Sequence, residues 1–594
     1  MRIPLIGVFA LLACLLGCGK SKVKKPVPPL VAAELTVPPL VATCEPGISG
    51  GRLRIATFGD PKTFNPITEN ESSSQDIIRF LFSGLITLDT PTQKVLPGLA
   101  HAWEVAADQK TWTFKLRKGV LWSDGKPLTA DDVIFTWEVI YHPKINNVTS
   151  DLFKIDGKNF EVTKVDDLTV KVVTPEPYAP FIEYFGAVSI LPRHVLQEKV
   201  ANGEFESAYG INTPPAELVS CGPFVLKMFK PGEFTLLERN LKYFAVDTKG
   251  TRLPYLDSVI YVVMPDQNSM SLRFLKGEAD VQEVVRPDEF DEFKKASTGG
   301  SFKFNLVDLG VGMERGFLWF NQNPNKDEKS GKPFVAPEKL AWFSQTKFRQ
   351  AISYALDRET ICKNIYVGRA TPNYSYISSA NTKWYNPNTP QYPMDLAKSK
   401  ALLKEIGIED RNGDGQLEDA NGKLIEVILN TNTGNPLRER MALLMVSDLK
   451  KLGIKVVYQP IEFNSLVAKI NNTKDYDCIL LGLGGGGIDP ASSMNVLRSD
   501  GFTHQWNPRQ KTPATPWEAK IDELMNEQIK TINPTKRKEL FDEVQHILGE
   551  QMPMIYTVAP KVYSAYRTGL GNVRPTPLSS YRISWNAEEI YFKK

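Results

Sequence analysis

From Gly51 onward the sequence alternates between short apolar runs typical of strands and amphipathic runs typical of helices. The segment LRIATF, which begins at Leu53, has the pattern of a strand, and SSSQDIIRFLFSGL, which begins at Ser72, has the pattern of a capped helix. Another helix is indicated after Thr129, where two acidic residues occupy the first turn. Because strands and helices interleave along the body, the sequence predicts a mixed α/β fold.

The chain has 594 residues, more than one hydrophobic core usually serves, and we expect about two to four structural units. No composition shift marks a linker inside the body and no part of the body is repeated, which favours lobes that exchange chain segments. The 71 basic and 68 acidic side chains give a formal charge of +3. This balance gives no indication of a nucleic-acid partner.

The first residues have the pattern of a bacterial export signal. Arg2 precedes the apolar run IPLIGVFALLACLL, which is too short to be a lasting membrane span. The tetrad LLGC that ends at Cys18 resembles a lipobox, in which the cysteine becomes the lipidated first residue of the mature protein. The tetrad ending at Cys14 also fits but would leave a shorter apolar core, and an ordinary secretory peptide is the alternative. We predict a signal peptide over 1–17, lipidation of Cys18, and export.

Residues 18–50 have the composition of a tether. The basic stretch GKSKVKK is followed by VPPLVA at Val27 and again at Val37. Paired prolines favour extended polyproline II and withhold amide donors, so the stretch predicts a semi-rigid spacer. The alternative is a repeat without a role.

The remaining cysteines indicate no disulfide framework and no zinc site, because they lack the C-x-x-C spacing. Cys478 lies in an apolar run and is interpreted as a core thiol. These four cysteines are Cys44, Cys221, Cys362 and Cys478.

Catalytic patterns are missing from the sequence. None of the five histidines lies in H-E-x-x-H, and there is neither a G-x-S-x-G elbow nor a phosphate-binding loop of the G-x-x-x-x-G-K-[ST] type. Adjacent carboxylates such as Asp131 and Asp132 are explained by the helix dipole alone. The chain is therefore predicted not to be an enzyme.

One loop resembles a metal site. Asp410, Asn412 and Asp414 stand at positions 1, 3 and 5 of an EF-hand-like loop with Gly415 at position 6, but Asn421 replaces the bidentate glutamate at position 12. A tight turn needs the same residue types. We predict no cofactor, with a structural calcium ion at this loop as the alternative.

The segment ILLGLGGGGIDPAS at residues 479–492 contains the pattern G-x-G-x-x-G after an apolar run. A dinucleotide loop needs a helix directly after the glycines, and here Asp489 and Pro490 turn the chain first. The pattern alone does not indicate a nucleotide site.

Several separated segments resemble the family 5 extracellular solute-binding proteins of ABC importers. The most specific is LPGLAHAWEVAADQKTWTFKLRKGVLWSDGKPLTADDVIFTW at residues 96–137. SCGPFVLKMFKPGEFTLLERN resembles a second family segment, with Cys221 where threonine is usual. FRQAISYALDRETI resembles a family helix, and residues 410–422 its acidic turn. The resemblance runs from about Gly51 to the end of the chain.

The resemblance implies a two-lobed periplasmic-binding-protein-like fold of type II, with a small additional domain and a ligand cleft between the lobes. The resemblance also implies the domain boundaries. Lobe I would comprise 51–88, 205–308 and 557–594, the inserted domain 89–204, and lobe II 309–556.

In peptide-binding members of the family, a carboxylate near the segment aligned with residues 482–490 pairs with the α-ammonium of the peptide. Gly486 takes that place here. Leu480 stands where an oligopeptide binder has arginine, Leu483 where tryptophan is common, and Phe463 in the place of another cleft tryptophan.

We interpret the glycines as a cleft edge stripped of side chains, where a ligand approaches the backbone closely. Its ligand-contacting residues would be Phe463, Leu483, Gly484, Gly485 and Gly486, faced from the first lobe by Ser72, Ser73, Ser74 and Gln75. A turn without ligand contact is the alternative.

The implied function is a lipid-anchored binding protein, expected as a monomer, that delivers a peptide or peptide-like solute to an ABC permease and its ATPase by cleft closure. It would face the periplasm or the outer cell surface. The alternatives are a binder of an N-blocked or non-peptide molecule and a ligand-sensing lipoprotein without transport.

Overall fold

The computed structural model describes residues 36–147, 150–483 and 487–594. The predicted signal peptide, Cys18 and most of the predicted tether lie outside the described residues, as do Gly484, Gly485 and Gly486. Within the described residues, no helix combines the length and the apolar character that crossing a membrane requires.

The described strands follow in chain order. The first ten are β1 (Leu40–Val41), β2 (Arg52–Phe58), β3 (Ile86–Asp89), β4 (Lys94–Pro97), β5 (Ala100–Val105), β6 (Thr111–Leu116), β7 (Lys154–Ile155), β8 (Lys158–Asn159), β9 (Glu161–Asp166) and β10 (Thr169–Val173). The next six are β11 (Phe224–Lys230), β12 (Phe234–Arg239), β13 (Ala245–Val246), β14 (Ser258–Met264), β15 (Val281–Val285) and β16 (Phe304–Val311). The others are β17 (Arg315–Phe320), β18 (Ala370–Pro372), β19 (Glu426–Asn432), β20 (Lys455–Ile461), β21 (Cys478–Leu483), β22 (Met554–Tyr556), β23 (Val558–Arg567), β24 (Leu570–Gly571) and β25 (Tyr591–Phe592).

The described α-helices lie between these strands. They are α1 (Ser72–Leu81), α2 (Ala130–Ile140), α3 (Phe181–Phe185), α4 (Arg193–Ala201), α5 (Gln267–Leu275), α6 (Phe290–Gly299), α7 (Pro337–Phe343), α8 (Thr346–Ala355), α9 (Arg358–Thr360), α10 (Leu396–Glu405), α11 (Pro436–Leu452), α12 (Phe463–Ala468), α13 (Met494–Leu497), α14 (Pro516–Lys530) and α15 (Pro534–Gln551). The mixed α/β prediction is confirmed.

The first sheet has eight strands in the order β11-β12-β14-β2-β15-β23-β16, with β18 paired to β23. Its inner strand β2 runs parallel to β14, so that Leu53 lies opposite Val259 and Ile55 opposite Tyr261. All four side chains are buried. Alternation of side chains along a strand places Leu53 and Ile55 on one face, which fixes the register of β2 in the sheet.

The second sheet has five strands in the order β20-β19-β21-β17-β22. Its parallel strands β19 and β20 are joined by α11, which begins after the cap Asn435 and ends at Gly453 in a left-handed conformation with φ of 101°. Met441 and Met445 of α11 are buried in the same core as Leu429 of β19. This is the arrangement expected when a crossover helix covers a parallel pair.

A third, four-stranded sheet has the order β5-β6-β10-β9. Beside it α2 begins with a complete capping box, in which Thr129 and Asp132 satisfy each other's backbone amides. Trp137 of α2 stacks on Phe185 at a centroid distance of 4.1 Å. This sheet lies within residues 89–204, which the resemblance assigns to an inserted domain, and the exact domain boundaries stay a prediction.

Residues 36–50, which the sequence assigns to the tether, lie on the body and form what we call the strap. Strand β1 pairs with β13, and the Val37 amide donates to Lys118 O at 2.9 Å. Although the paired prolines withhold two amides, Ala42 N still donates to Val246 O at 2.8 Å. The paired prolines in this repeat therefore do not prevent docking, and the spacer stays a prediction for residues 18–35, which lie outside the described residues.

Removal of the strap should destabilise the body. A chain that starts at Gly51 loses the pairing of β1 and the hydrogen bond from Asn572 to Glu45 O. We expect its free energy of unfolding to fall by about 2–4 kcal/mol, since each lost hydrogen bond contributes about 1 kcal/mol. Urea unfolding followed by tryptophan fluorescence measures this, with a chain that starts at Thr36 as the matched control. Equal midpoints for the two chains would show that the strap contributes nothing.

Candidate functional site

The chain passes directly between the first and second sheets at two places, residues 312–314 and Thr557. At the second crossing, the amide and hydroxyl of Thr557 both donate to Gly316 O at 3.0 Å. At the first crossing, Gly312 N donates to Pro560 O at 3.0 Å. Two adjacent connections of this kind form a hinge, and we call the space between the two sheets beside it the cleft.

The glycine run leaves the second sheet at the end of β21. This strand is held on both sides, by β17 along its length and by β19 at Cys478 and Ile479. A Cβ on Gly482 would lie 3.2 Å from Arg315 O and 3.4 Å from a guanidinium nitrogen of Arg438. A larger residue at this position would therefore press on both neighbours.

Beyond the glycines, a buried ion pair fixes the chain. The Asp489 carboxylate accepts two hydrogen bonds from the guanidinium of Arg537 at 2.6 Å each, and the two side chains are 8% and 7% exposed. Asp489 also accepts from Ala491 N at 2.9 Å and starts a short 3-10 helix. Its carbonyl accepts from the Tyr184 hydroxyl at 3.2 Å, which ties the turn to the part of the chain that carries the third sheet.

Two arginines flank the strand that enters the glycine run. Arg315 pairs with Leu483 in the register of β17 and β21, and its guanidinium lies 4.5 Å from the ring centroid of Tyr376. Arg438 donates to the Asn432 side chain beside Gly482. Burial lowers the pKa of Arg438, and the nearby Tyr366 and Glu314 oppose this shift. The sequence carried no signal for either arginine, because neither lies in a motif.

Several buried polar atoms near these arginines have no hydrogen-bond partner among the described residues. They are Arg315 Nε and the hydroxyls of Tyr376 and Tyr556, of which the two tyrosines are 2% and 1% exposed. Tyr556 lies opposite Phe317 on β17. Because buried polar groups are almost always paired, such a cluster is a candidate place for a polar ligand or an ordered water.

The serines predicted to face the cleft divide into two groups. Ser73 and Ser74 are buried, and both hydroxyls donate to the carboxylate of Glu71, the cap of α1. Ser74 also accepts from Lys62 N at 2.9 Å. These two hydroxyls therefore serve the local fold, whereas Ser72 is exposed and Gln75 half-buried.

Phe463, the first residue of α12, lies where the first and second sheets touch. Its ring packs edge-on against Phe58, at the end of β2, with centroids 6.4 Å apart. Next to it, Lys62 Nζ donates to Asn464 O at 3.4 Å. The placement of Phe463 at the mouth of the cleft agrees with its interpretation as a cleft aromatic, while its contact with ligand stays a prediction.

A polar groove of about 310 Å³ adjoins the start of α1. It is lined by Lys62, Thr63, Thr68, Asn70, Glu71, Asn146, Glu206 and Gly210.

The EF-hand-like loop, the alternative calcium site, is stabilised by hydrogen bonds from its own backbone amides. Asp410 accepts from Gly413 N at 2.7 Å and from Gly415 N at 3.0 Å, and Asn412 donates to Asp414 at 3.2 Å. These are the bonds of a tight turn. Across the described part of the chain, no three histidine, cysteine, aspartate or glutamate side chains are grouped so that they could hold a metal ion. Calcium binding here stays an untested alternative.

In addition to this two-sheet architecture, the sequence matches a model of a known protein family. A model described as bacterial extracellular solute-binding proteins, family 5 Middle, matches residues 94–505. The chain belongs to this family.

Individual family 5 proteins are similar over nearly the whole chain. The "Probable ABC transporter-binding protein" of Deinococcus radiodurans is 30% identical over 90% of this chain and 92% of its own length. The oligopeptide-binding protein AppA of Bacillus subtilis is 28% identical over 92% of both chains. The solved structure of AppA with a nonapeptide covers 92% of this chain and 100% of its own, with 26% identity and a TM-score of 0.77.

A solved structure of the binding protein MelB from Agrobacterium fabrum, in complex with stachyose, is similar in fold. It is 23% identical, covers 95% of this chain and 89% of its own, and gives a TM-score of 0.82. The comparisons confirm the type II periplasmic-binding-protein fold.

This family 5 protein is a substrate-binding component of an ABC importer, with a small solute or peptide and a permease as its partners. It belongs outside the cytoplasm, as the family does. The prediction that the chain is not an enzyme is confirmed by its relatives, which are solute-binding proteins.

Loss of the buried pair beyond the glycine run should strongly destabilise this family 5 protein. Arg537→Met leaves the Asp489 carboxylate buried without a counter-charge, which we expect to lower the free energy of unfolding by about 3–5 kcal/mol. The exposed neighbour provides a matched control, because Lys536→Met should change it by less than about 0.5 kcal/mol. Urea unfolding measures both.

A second variant separates charge burial from lost packing. Adding Asp489→Asn to Arg537→Met removes the uncompensated charge and should recover part of the loss. If the double variant is as unstable as the single one, the ion pair is not the reason that Arg537 matters.

Proposed function

We propose that the chain is a lipid-anchored binding protein that delivers a peptide or peptide-like solute to its ABC importer. The observation that carries the peptide assignment is the pair of guanidinium groups, Arg315 and Arg438, beside the strand that enters the glycine run. A guanidinium matches the planar geometry of a carboxylate with two parallel hydrogen bonds. Every free peptide carries such a carboxylate.

The electrostatics favour an anionic group on the solute over a neutral one. AppA is seen with a nonapeptide and MelB with the neutral sugar stachyose, so the family fold accommodates both kinds of ligand. A neutral sugar would leave the two guanidinium groups of this chain without a counter-charge, although Glu314 lies close to Arg438. Desolvation of an unpaired cation is costly, and a carboxylate on the solute offsets that cost.

Cleft closure is supported by contacts of the first-sheet side with the second sheet and with the hinge. Besides the packing of Phe463 on Phe58, Arg582 on the side of the first sheet donates to Glu314 at 3.2 Å. A solute that contacts both walls binds most tightly when these contacts are formed, and so it shifts the population toward the closed form. The permease then binds the closed conformation, which is the one that carries solute.

A solute without a free amino terminus is the second candidate, favoured by Gly486. That residue stands where the carboxylate of peptide-binding relatives is expected, so the usual partner of an α-ammonium is missing from this segment. A blocked peptide or a non-peptide anion would need no such partner.

Native mass spectrometry of residues 36–594 with a random tetrapeptide library tests the peptide assignment. We expect a ladder of bound peptide masses, and binding at least about 10-fold weaker for the same library with amidated carboxyl termini. Arg438→Gln should weaken binding of the free acids similarly, whereas Lys450→Gln, at the exposed far end of α11, should not. Equal binding of acids and amides would contradict the proposal.

Lipid anchoring through Cys18 is tested in cells. Cys18→Ser should move the protein from the membrane fraction to the soluble fraction and abolish labelling by an alkyne fatty acid, because the thiol is the attachment point. Cys14→Ser should leave both unchanged. Labelling that survives Cys18→Ser and is lost with Cys14→Ser would place the anchor at Cys14 instead.

A further inference from the structure

Asp76 lies in the second turn of α1, beside the end of β2. Its carboxylate accepts from the Thr57 hydroxyl at 3.2 Å, and the Tyr581 side chain lies close enough to lower the pKa of Asp76. Asp76 is half-buried.

Thr57 and Tyr581, which both lie near Asp76, are each one residue away from a contact with the second sheet or with the hinge. Thr57 precedes Phe58, whose ring packs on Phe463. Tyr581 precedes Arg582, which donates to Glu314. Asp76 therefore lies on the first-sheet side, close to a place where the two sheets meet.

The carboxylate of Asp76 makes no ion pair within the described part of the chain, since none of the recorded pairs includes it. Arg79, one turn further on α1, is directed elsewhere. Its terminal nitrogens donate to Ser584 O at 2.9 Å, to the Ser584 hydroxyl at 2.8 Å and to the Tyr261 hydroxyl at 2.9 Å. Arg79 therefore attracts the Asp76 carboxylate through space without donating a hydrogen bond to it.

Other charged and titratable groups face Asp76 from the neighbouring elements. Glu283 of β15 adds negative charge, and its carboxylate accepts from Ile583 N and Ser584 N. Tyr261 of β14 and Tyr581 are neutral donors at ordinary pH. Burial raises the pKa of Asp76 to about 7, and Arg79, Tyr581 and Thr57 oppose this effect.

We propose that Asp76 binds a cationic nitrogen of the solute, in the case of a peptide its α-ammonium. The inference rests on the proposed function of the cleft as a peptide site. It assigns the positive end of the solute to the first sheet and the negative end to Arg315 and Arg438 of the second. A carboxylate that accepts from one hydroxyl still has oxygen lone pairs for an ammonium, and a ligand cation supplies the directly bonded counter-charge that Arg79 does not.

This assignment gives a reason for Gly486. The carboxylate that peptide-binding relatives carry in the glycine segment is not needed when another wall of the cleft supplies one. A solute held between opposite charges on the two walls also contributes to closure, because each wall attracts a different end.

The pairing predicts proton release on binding. Free Asp76 is partly protonated near pH 7, and an adjacent ammonium stabilises the carboxylate, so binding expels a proton. Affinity for a free-amine solute should therefore rise as the pH increases from about 6 to about 7.5. Above about pH 8 the α-amine itself loses its proton, and the gain ends.

The experiment compares a library peptide that binds in the native mass spectra with its N-acetylated form. Calorimetry of residues 36–594 in two buffers of different ionisation enthalpy gives the affinity and the number of protons released. Wild type should prefer the free amine by at least about 10-fold, with proton release confined to that form. Asp76→Asn should lose the preference and the proton release while binding the acetylated form as before.

Glu588→Gln is the matched control, since burial also raises the pKa of Glu588 to about 7. It should keep both the preference and the proton release. A thermal melt checks that each variant is folded. Should Asp76→Asn not fold, wild-type calorimetry at about pH 6 and about pH 7.5 still tests the proposal, because a preference for the free amine without proton release would overturn it.

The outcomes separate this inference from the proposed function. If wild type binds free and acetylated peptides equally, the role of Asp76 is overturned and the peptide assignment stands. If Asp76→Asn retains the preference for free amines, another group binds the ammonium and the inference is likewise overturned. If wild type binds no peptide, both fail.

Discussion

The buried pair of Asp489 and Arg537 is the interaction on which the cleft depends. It fixes the chain immediately beyond a glycine run that has few side chains of its own to pack. Arg537 also donates to Gln528, so the pair joins the turn to both α14 and α15. Through its carbonyl, Asp489 reaches Tyr184 near the third sheet. This ion pair thus fixes the position of the site relative to three parts of the molecule. The cost of removing both charges from water is offset by its two direct hydrogen bonds and by the neighbouring hydrogen bonds.

The charges of the cleft are divided between its walls. The second sheet places Arg315 and Arg438 beside the end of β21, and the first sheet places Asp76 beside the end of β2. In both sheets these side chains lie near the ends of strands. The loops that begin there are outside the hydrogen-bonded ladder and bring polar groups together. The division favours a solute with opposite charges at its two ends, which fits a short peptide better than a neutral sugar.

Local features of the fold could be read from the sequence. The capping box of α2 and the α/β alternation depend on residues a few positions apart, and family segments such as residues 96–137 identify the family. Long-range pairing could not be read in this way. Arg537 lies 48 positions from Asp489, and nothing in the pattern Asp-Pro indicates a buried cation. The sequence did not reveal the strap, because paired prolines are typical of a spacer whether its other backbone amides are free or donate hydrogen bonds to the body.

The candidate site was predicted less completely than the fold. Reading SSSQ as a polar surface overlooked that Ser73 and Ser74 satisfy Glu71, and that the next residue, Asp76, is the one whose carboxylate lies beside the cleft. A sequence pattern predicts which face of a helix is polar, but it does not show which polar side chains already have hydrogen-bond partners. Whether Phe463, Leu483 and the glycines contact the solute stays a prediction, and three of those glycines lie outside the described residues.

The position of β23 within the first sheet also has a consequence for the order of folding. This strand, residues 558–567, lies between β15 and β16, which precede it by more than 240 positions. The first sheet therefore cannot be completed until almost the entire chain has been synthesised, and contacts of such long range form slowly. For a member of an extracellular family, the delay is useful. A chain that still lacks β23 cannot complete its first sheet, a state that export of unfolded chains requires.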